Sequence, residues 1–244
     1  MLLPRAKAEK LRDLLVYALD EERRLVVACD CAGGIGPLPG DVLQVSGKIV
    51  GFCTAAVALI ELVAVGAHPI MLANTLSLNL DPWGKEILQG IREAAESFPE
   101  LVITGSMEKN MLVSQTGIGV VAIGLASCPE LDPRPSPGQV VIAVGYPLVG
   151  ASVLTDREAA VSLKTVREIR KMAGVSMIIP CGSGGAAAEL KHFPGLRLDN
   201  GVNFPLEDSA GPATCVLVAC QWDIAKEIKA LGKPVSSIGY LEGE

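Results

Sequence analysis

Aromatic residues make up only 4% of this sequence, and no basic run or stripe of aromatic and basic side chains occurs in it. The formal net charge is −6. Such a chain lacks the positive surface that nucleic acid requires, so we predict no nucleic-acid partner. The seven cysteines are scattered and contain no C-x-x-C pair, and there are two histidines. Neither a disulfide framework nor a structural zinc site is indicated.

Long apolar runs free of charge are also missing. The most apolar stretch, IVGFCTAAVALIELVAVGA, contains Glu61 and is bounded by Gly51 and Gly66. We predict that it forms a buried helix and not a membrane span. Charges interrupt the opening MLLPRAKAEKLRDLL, which is therefore not predicted to be a signal peptide. The expected location is the cytoplasm, with no membrane partner.

The composition indicates a compact α/β protein, because 50% of the residues are apolar, 20% are charged and 26 are glycine. The length of 244 residues suits one large domain or two small ones. The segment CPELDPRPSPG, residues 128–138, has four prolines in eleven positions and is the best candidate boundary. We predict domains over residues 1–128 and 138–244.

Apolar periodicity predicts mixed elements in both halves. In the first half we predict strands over 23–30, 69–78, 101–105 and 117–126, and helices over roughly 52–65 and 82–98. The second of these helices places four apolar side chains on one face: Ile87, Ile91, Ala94 and Ala95. In the second half we predict strands over 138–146, 175–180, 213–220 and 235–241, and helices over 155–174, 184–193 and 222–231. Thr155 and Glu158 fit a capping box for the first of these helices.

The stretch VACDCAGGIG, residues 27–36, combines thiols, a carboxylate and glycines at the end of an apolar strand. Strand alternation puts Cys29 and Cys31 on one face and Asp30 on the other. The two thiols have no other clustered thiol or histidine to complete a metal site. Asp30 either caps a turn or approaches a ligand beside the glycines.

Glu61 is the one charge in FCTAAVALIELVAVGA. A buried carboxylate costs several kcal/mol unless a metal, a cation or hydrogen-bond donors satisfy it. The alternative is a solvent-facing edge of the helix, which the apolar neighbours disfavour. Asp13 and Glu108 are each expected to be solvated when taken alone. Together with Asp30 and Glu61 they would supply the hard oxygen ligands that magnesium prefers.

Two turns rich in small residues interrupt the second half. CGSGGAAAEL, residues 181–190, follows a predicted strand and opens a predicted helix. Backbone amides at such a position bind anions, but a tight structural turn is an equal alternative. The turn SAGPAT, residues 209–214, is interpreted as structural.

The order of these motifs resembles the aminoimidazole ribonucleotide synthetase superfamily, which includes thiamine-monophosphate kinase, selenophosphate synthetase and a hydrogenase-maturation ATPase. The resemblance runs through Arg12-Asp13, VVACD (26–30), IELVAVGAHPI (60–70), ITGSMEKN (103–110), TGIGVVAIG (116–124), PGQVVIAVG (137–145) and IIPCGSGGAAAEL (178–190). Glu61 stands five residues before Gly66, where members typically carry an acid. Within the superfamily, the sequence is most similar to a branch linked to α-ribazole kinase, a cobalamin-salvage enzyme.

The resemblance implies a two-domain α/β fold in which the N-terminal domains of two subunits pair into a shared β-barrel, giving a homodimer. It places ATP between the domains, with Mg²⁺ bound by Asp13, Asp30, Glu61 and Glu108. It also assigns nucleotide contacts to Asp13, Asp30, Glu61, Gly105, Gly182, Gly184 and Gly185. Asp30 and Glu108 are the candidate catalytic residues.

The sequence also departs from the family pattern. Paired aspartates are replaced by Arg12-Asp13, the helix aspartate is Glu61, and Pro180-Cys181 stands where members have an aspartate. The Gly-Gly-Glu-Asp signature of thiamine-monophosphate kinase is absent, which argues against thiamine phosphate as the substrate.

The leading hypothesis is an ATP- and magnesium-dependent kinase acting on a small nucleoside-like metabolite, with α-ribazole as a candidate. The alternatives are a ring-closing or amide-activating ATP-dependent synthetase, and an ATP-binding protein without turnover.

Overall fold

The computed structural model describes residues 8–128 and 131–243. Residues 1–7 of the first predicted domain, and Pro129 and Glu130 of the proline-rich segment, lie outside the described residues. The chain divides into two compact units, the first extending to Leu131 and the second beginning at Asp132. Both units contain a sheet and helices, which confirms the predicted mixed α/β class.

The first unit is built on a six-stranded sheet with the order β1-β2-β3-β8-β6-β7. Neighbouring strands are antiparallel except β6 and β7, which are parallel. The segment Leu80–Gly84, in which Asp81 is extended at φ −103° and ψ 134°, leads into the second helix. The elements of this unit are β1 (Ala8–Leu11), β2 (Leu14–Ala18), β3 (Arg23–Gly33), β4 (Ile35–Gly36), β5 (Leu43–Gln44), α1 (Gly47–Ala64), β6 (His68–Leu76), α2 (Lys85–Ala95), β7 (Val102–Met107) and β8 (Gly117–Ser127).

Helices α1 and α2 pack on each other, and α1 covers one face of β3 and β8. The predicted apolar face of α2 is confirmed, because Ile87, Ile91, Ala94 and Ala95 are all buried. Helix α1 begins at Gly47, earlier than predicted. The Ser46 side chain accepts a hydrogen bond from the N–H of Ile49 and so starts the helix there.

Within the described residues, α1 is the one helix whose length and composition would allow it to cross a membrane. However, 67% of its apolar window is buried inside the unit, as predicted for a buried helix.

The opposite face of this sheet carries an apolar row that α1 and α2 do not cover. The register pairs Leu15 with Val27, Val27 with Ile123, Ile123 with Met71, and Met71 with Val102. Exposure reaches 47% for Leu15, 40% for Met71 and 62% for Val102. Five strands therefore present one continuous line of apolar side chains.

The second unit contains a five-stranded antiparallel sheet with the order β10-β12-β9-β13-β11. Its central strand pair is buried on both faces. A 3₁₀ helix, Ala187–His192, follows β10. The remaining elements are β9 (Val140–Gly145), α3 (Ser152–Thr155), α4 (Leu163–Arg170), β10 (Val175–Pro180), β11 (Leu196–Leu198), β12 (Cys215–Cys220), α5 (Trp222–Lys229) and β13 (Val235–Leu241).

The predicted helix over 155–174 is wrong in its first half. Helix α4 begins at Leu163, where the side chain of Ser162 accepts a hydrogen bond from the N–H of Thr165. Val161 is buried, and its N–H donates to the carbonyl of Thr214 at 2.7 Å. This tertiary bond holds the preceding segment against the sheet and outweighs the local capping-box signal.

Candidate functional site

Strands β3, β6 and β7 point in the same direction, because β3 and β6 are both antiparallel to β8 and β7 is parallel to β6. Their carboxyl ends therefore lie at one edge of the sheet. Near this edge the register aligns one rung of four residues, Asp30, Val120, Asn74 and Gly105. Neighbouring strands are about 4.8 Å apart, which separates the Cα atoms of Asp30 and Asn74 by about 10 Å.

Asp30 is half-buried on the face of β3 that α1 covers. Burial raises the pKa of its carboxyl group from 3.8 to about 6, and a hydrogen bond from the N–H of Cys31 offsets only part of this effect. Among residues 8–128 and 131–243, no cationic side chain forms an ion pair with Asp30. A half-buried carboxylate without a cationic side chain beside it is suited to binding a divalent cation.

Asn74 is the polar side chain that sequence reasoning missed. It is only 4% exposed, and its Nδ2 donates to the carbonyl of Thr104 at 2.9 Å. The amide lies over Gly105, where an added Cβ would be 2.5 Å from both Asn74 Nδ2 and Oδ1. Gly105 therefore makes room for Asn74. A lone amide in the apolar strand PIMLANTLSL is the signal that could have identified it.

Glu108 lies in the loop that follows β7, beside a cavity of about 410 Å³ lined by residues 105–110. This cavity is an open depression formed by one run of six consecutive residues, Glu108 among them. Glu108 Oε1 accepts hydrogen bonds from the N–H of Asn110 at 2.6 Å and of Met111 at 3.2 Å. These donors hold the pKa of Glu108 below its ordinary value. The carboxylate is thus ionised and shapes its own loop.

Asp13 is exposed in the two-residue turn between β1 and β2, beside Arg12 at φ 55°. Glu61 is partly buried, three residues before the end of α1. In the part of the chain that the structure describes, no three His, Cys, Asp or Glu side chains are close enough to hold one metal ion. A single chain therefore does not bring Asp13, Asp30, Glu61 and Glu108 into one group, and their joint assignment to Mg²⁺ stays a prediction.

In the second unit, the two turns of small residues meet. The N–H of Ala210 donates to the carbonyl of Gly182 at 3.0 Å. Gly185 has φ +67°, and an added Cβ would lie 2.5 Å from the carbonyl oxygen of Leu206. This position requires glycine for structural reasons. At Gly182 a Cβ would meet nothing within 4 Å, whereas at Gly184 it would contact Ala188.

Comparison with curated proteins gives no match, whereas solved structures reveal the fold. Thiamine-monophosphate kinase from Stenotrophomonas maltophilia K279a is 17% identical with a TM-score of 0.64, over 95% of this chain and 87% of that one. The hydrogenase maturation protein HypE of E. coli is 16% identical with a TM-score of 0.64, over 89% and 80%. PurL of T. maritima, complexed with AMPPCP, is 16% identical with a TM-score of 0.62 over 93% of this chain. The chain spans 42% of the length of that PurL chain.

The sequence itself matches a family model described as AIR synthase related protein, N-terminal domain, over residues 11–126. This range contains β2 to β7, α1, α2 and all but the last residue of β8, and so includes Asp30, Asn74 and the loop of Glu108. The resemblance inferred from the order of the motifs is confirmed. Residues 11–126, just under half of the chain, therefore match the N-terminal domain of AIR synthase-related proteins.

Proposed function

We propose that this protein is an ATP- and magnesium-dependent kinase that phosphorylates a small nucleoside-like metabolite. The main support for this proposal comes from one edge of the first sheet. There the half-buried Asp30 and the cavity lined by residues 105–110 lie at the carboxyl ends of strands that point in the same direction. The similar folds include a thiamine-monophosphate kinase and a PurL complexed with an ATP analogue. Both support nucleotide binding by this architecture.

Asp30 is the residue best suited to hold Mg²⁺. Burial makes the charge of its carboxylate costly, and no basic side chain in the described residues neutralises that charge, so a bound cation would compensate it. Oxygen ligands and phosphate oxygens are the usual partners of Mg²⁺. When bound, the cation neutralises charge on the transferred phosphoryl group. The protein side supplies positioning, through Asp30 on β3 and the loop of residues 105–110 after β7.

The two candidate catalytic carboxylates differ in protonation. Glu108 is held ionised by the N–H groups of Asn110 and Met111, so it is a weak proton acceptor at neutral pH. Its proposed role is to order the loop beside the cavity. Asp30 has the higher pKa and is the better candidate for contact with the reacting groups.

The second candidate function is ATP binding without turnover. It is favoured by the observation that the described residues of one chain contain no group of three metal-ligating side chains. A reaction that activates an amide or closes a ring, using ATP to phosphorylate a carbonyl oxygen, is the alternative within the same superfamily.

The deciding experiment measures ADP release by the full chain with Mg-ATP and a panel of acceptors that includes α-ribazole, other nucleosides and thiamine phosphate. The kinase proposal expects ADP together with a stable phosphoester of one acceptor, and Asp30→Asn should abolish both. ADP with inorganic phosphate and an altered carbonyl compound would indicate the synthetase. Binding of Mg-ATP without ADP release from any acceptor would favour the non-catalytic protein.

The open face of the first sheet supports a further part of this proposal, a homodimer in which two copies pair through the row Leu15, Val27, Ile123, Met71 and Val102. Exposed apolar patches of this kind mark interaction surfaces. The exposed Cys29 and Cys31 lie on the same face, so dimerisation should slow their reaction with a thiol reagent.

Sedimentation should give a dimer for the natural chain and a monomer for Leu15→Lys. A monomeric natural chain would rule out this arrangement.

A further inference from the structure

Two segments frame the edge of the sheet where Asp30 and Glu108 lie. The first, residues 34–45, follows β3 and includes β4 and β5. The second, residues 108–116, runs from the cavity loop to β8. Both expose large apolar side chains, with Val42 89% exposed, Met111 69% and Leu112 98%. Packing of these side chains therefore contributes little to holding the two segments in place.

A buried carboxylate joins the two segments. Asp41 is 8% exposed and Thr116 is 1% exposed. Asp41 Oδ1 accepts a hydrogen bond from Thr116 N at 2.7 Å, and Asp41 Oδ2 accepts one from Thr116 Oγ1 at 2.7 Å. Asp41 Oδ2 also accepts from Leu38 N at 2.8 Å. We name these contacts the Asp41–Thr116 clasp.

Further bonds continue the same junction. Thr116 O accepts from Gly34 N at 2.9 Å, Ser114 O accepts from Gly40 N at 2.8 Å, and Gly40 O accepts from Gln115 Nε2 at 2.7 Å. The junction leaves no room for a side chain at Gly40, where a Cβ would lie 2.6 Å from the carbonyl oxygen of Ser114. The two segments are thus fixed to each other by hydrogen bonds, with the Asp41 carboxylate at the centre.

We propose that Asp41 and Thr116 are positioning residues that hold the segment after Asp30 and the segment after Glu108 in a single arrangement for ligand binding. The effect on ligand binding rests on the proposed nucleotide site. The ordering of the two segments does not depend on any ligand. The junction requires two acceptor oxygens at position 41, because they accept hydrogen bonds from three donors. An asparagine presents an NH₂ group to at least one of them, which leaves a buried donor unsatisfied.

The first measurement needs no ligand. Hydrogen exchange of the full chain, read by mass spectrometry, should accelerate in residues 34–45 and in residues 108–116 for Asp41→Asn and for Thr116→Val. Thr116→Ser keeps the hydroxyl and should exchange as the natural chain does. Asp20→Asn is the matched control, since Asp20 also accepts from two backbone N–H groups and one side chain but lies in the turn between β2 and β3.

The second measurement is the affinity for Mg-ATP by calorimetry. A positioning role predicts an affinity about tenfold weaker in Thr116→Val, measured at a temperature where this variant is fully folded, with recovery in Thr116→Ser. A merely structural role would lower the unfolding midpoint and leave the affinity of the folded protein unchanged. Should Asp41→Asn fail to fold, Thr116→Val still tests the clasp, because it removes one hydrogen bond and keeps the side-chain shape.

The two measurements separate failure of this inference from failure of the proposed function. Unchanged exchange in both segments of Asp41→Asn and Thr116→Val overturns the clasp, whatever the affinity. Faster exchange with an unchanged Mg-ATP affinity overturns the positioning role. If the natural chain binds no Mg-ATP, the proposed function fails, and the exchange result alone decides whether the clasp orders the two segments.

Discussion

Replacing Asp30 by asparagine should stabilise the protein at alkaline pH and have little effect at acid pH. Burial raises the pKa of Asp30 from 3.8 to about 6. The folded state therefore binds the Asp30 proton more tightly than the unfolded state does. The resulting stability is fully present below pH 3.8 and is lost as the pH rises through about 6. Asparagine does not titrate and avoids the cost of burying an ionised group.

The size of the effect follows from the two pKa values. Each pH unit between them corresponds to about 1.4 kcal/mol, which gives an upper limit of about 3 kcal/mol at pH 8. Because Asp30 is only half-buried, solvent screening reduces the expected gain to roughly 1–2 kcal/mol. If Asp30 holds Mg²⁺ as proposed, millimolar Mg²⁺ with ATP should reverse the order of stability, since a carboxylate binds the cation and an amide does so weakly.

The assay is urea unfolding followed by circular dichroism from pH 4 to pH 8, with Asp13→Asn as a control for the loss of one exposed carboxylate. The midpoint difference between Asp30→Asn and the natural chain should grow from about pH 4 to about pH 6 and level off at higher pH. A difference that stays constant across this range, or that favours the natural chain at pH 8 without Mg²⁺, would contradict the conclusion that burial raises the pKa of Asp30.

Three further changes test individual residues. Glu61→Gln should weaken Mg-ATP binding at least about tenfold while the fold survives, and unchanged affinity by calorimetry would remove Glu61 from the site. Gly105→Ala should cost about 1–3 kcal/mol, because its Cβ collides with the amide of Asn74. In an Asn74→Ala background most of that cost should disappear from the urea midpoint, and an equal cost in both backgrounds would contradict the contact. Ser162→Ala should destabilise the second unit by about 1 kcal/mol through loss of the α4 cap. A stability unchanged by this substitution would show that another group starts the helix.

The sequence predicts the elements well where local pattern and burial agree. Helix α2 has its predicted apolar face, since Ile87 and Ile91 repeat at helical spacing and both are buried. The family resemblance is carried by motifs distributed along the chain, and the matched domain confirms it. The segment around Thr155 shows the opposite case. Its capping signal is local, whereas the bond between Val161 and Thr214 joins residues that are distant in sequence.

The candidate site is only partly predictable for the same reason. Asp30 stands out because an apolar strand leads to a carboxylate followed by glycines. Asn74 and Asp41 do not stand out, because an amide in a strand and an aspartate in a loop have many ordinary explanations. Their significance depends on sheet register and on hydrogen bonds across 75 residues of sequence. The described residues of one chain also do not bring three of the four predicted acids into one metal-binding group, and the spacing of these acids in the sequence could not indicate this.

The rung of Asp30, Val120, Asn74 and Gly105 has a consequence for how this protein tolerates changes in length. Side chains alternate between the two faces of a strand, so one residue inserted in β3 before Asp30 would turn its carboxylate away from α1. Two inserted residues would restore the side but displace it along the sheet. Relatives that keep this chemistry should therefore differ in the length of the turns at the opposite ends of these strands. They should conserve the number of residues between Val26 and Asp30.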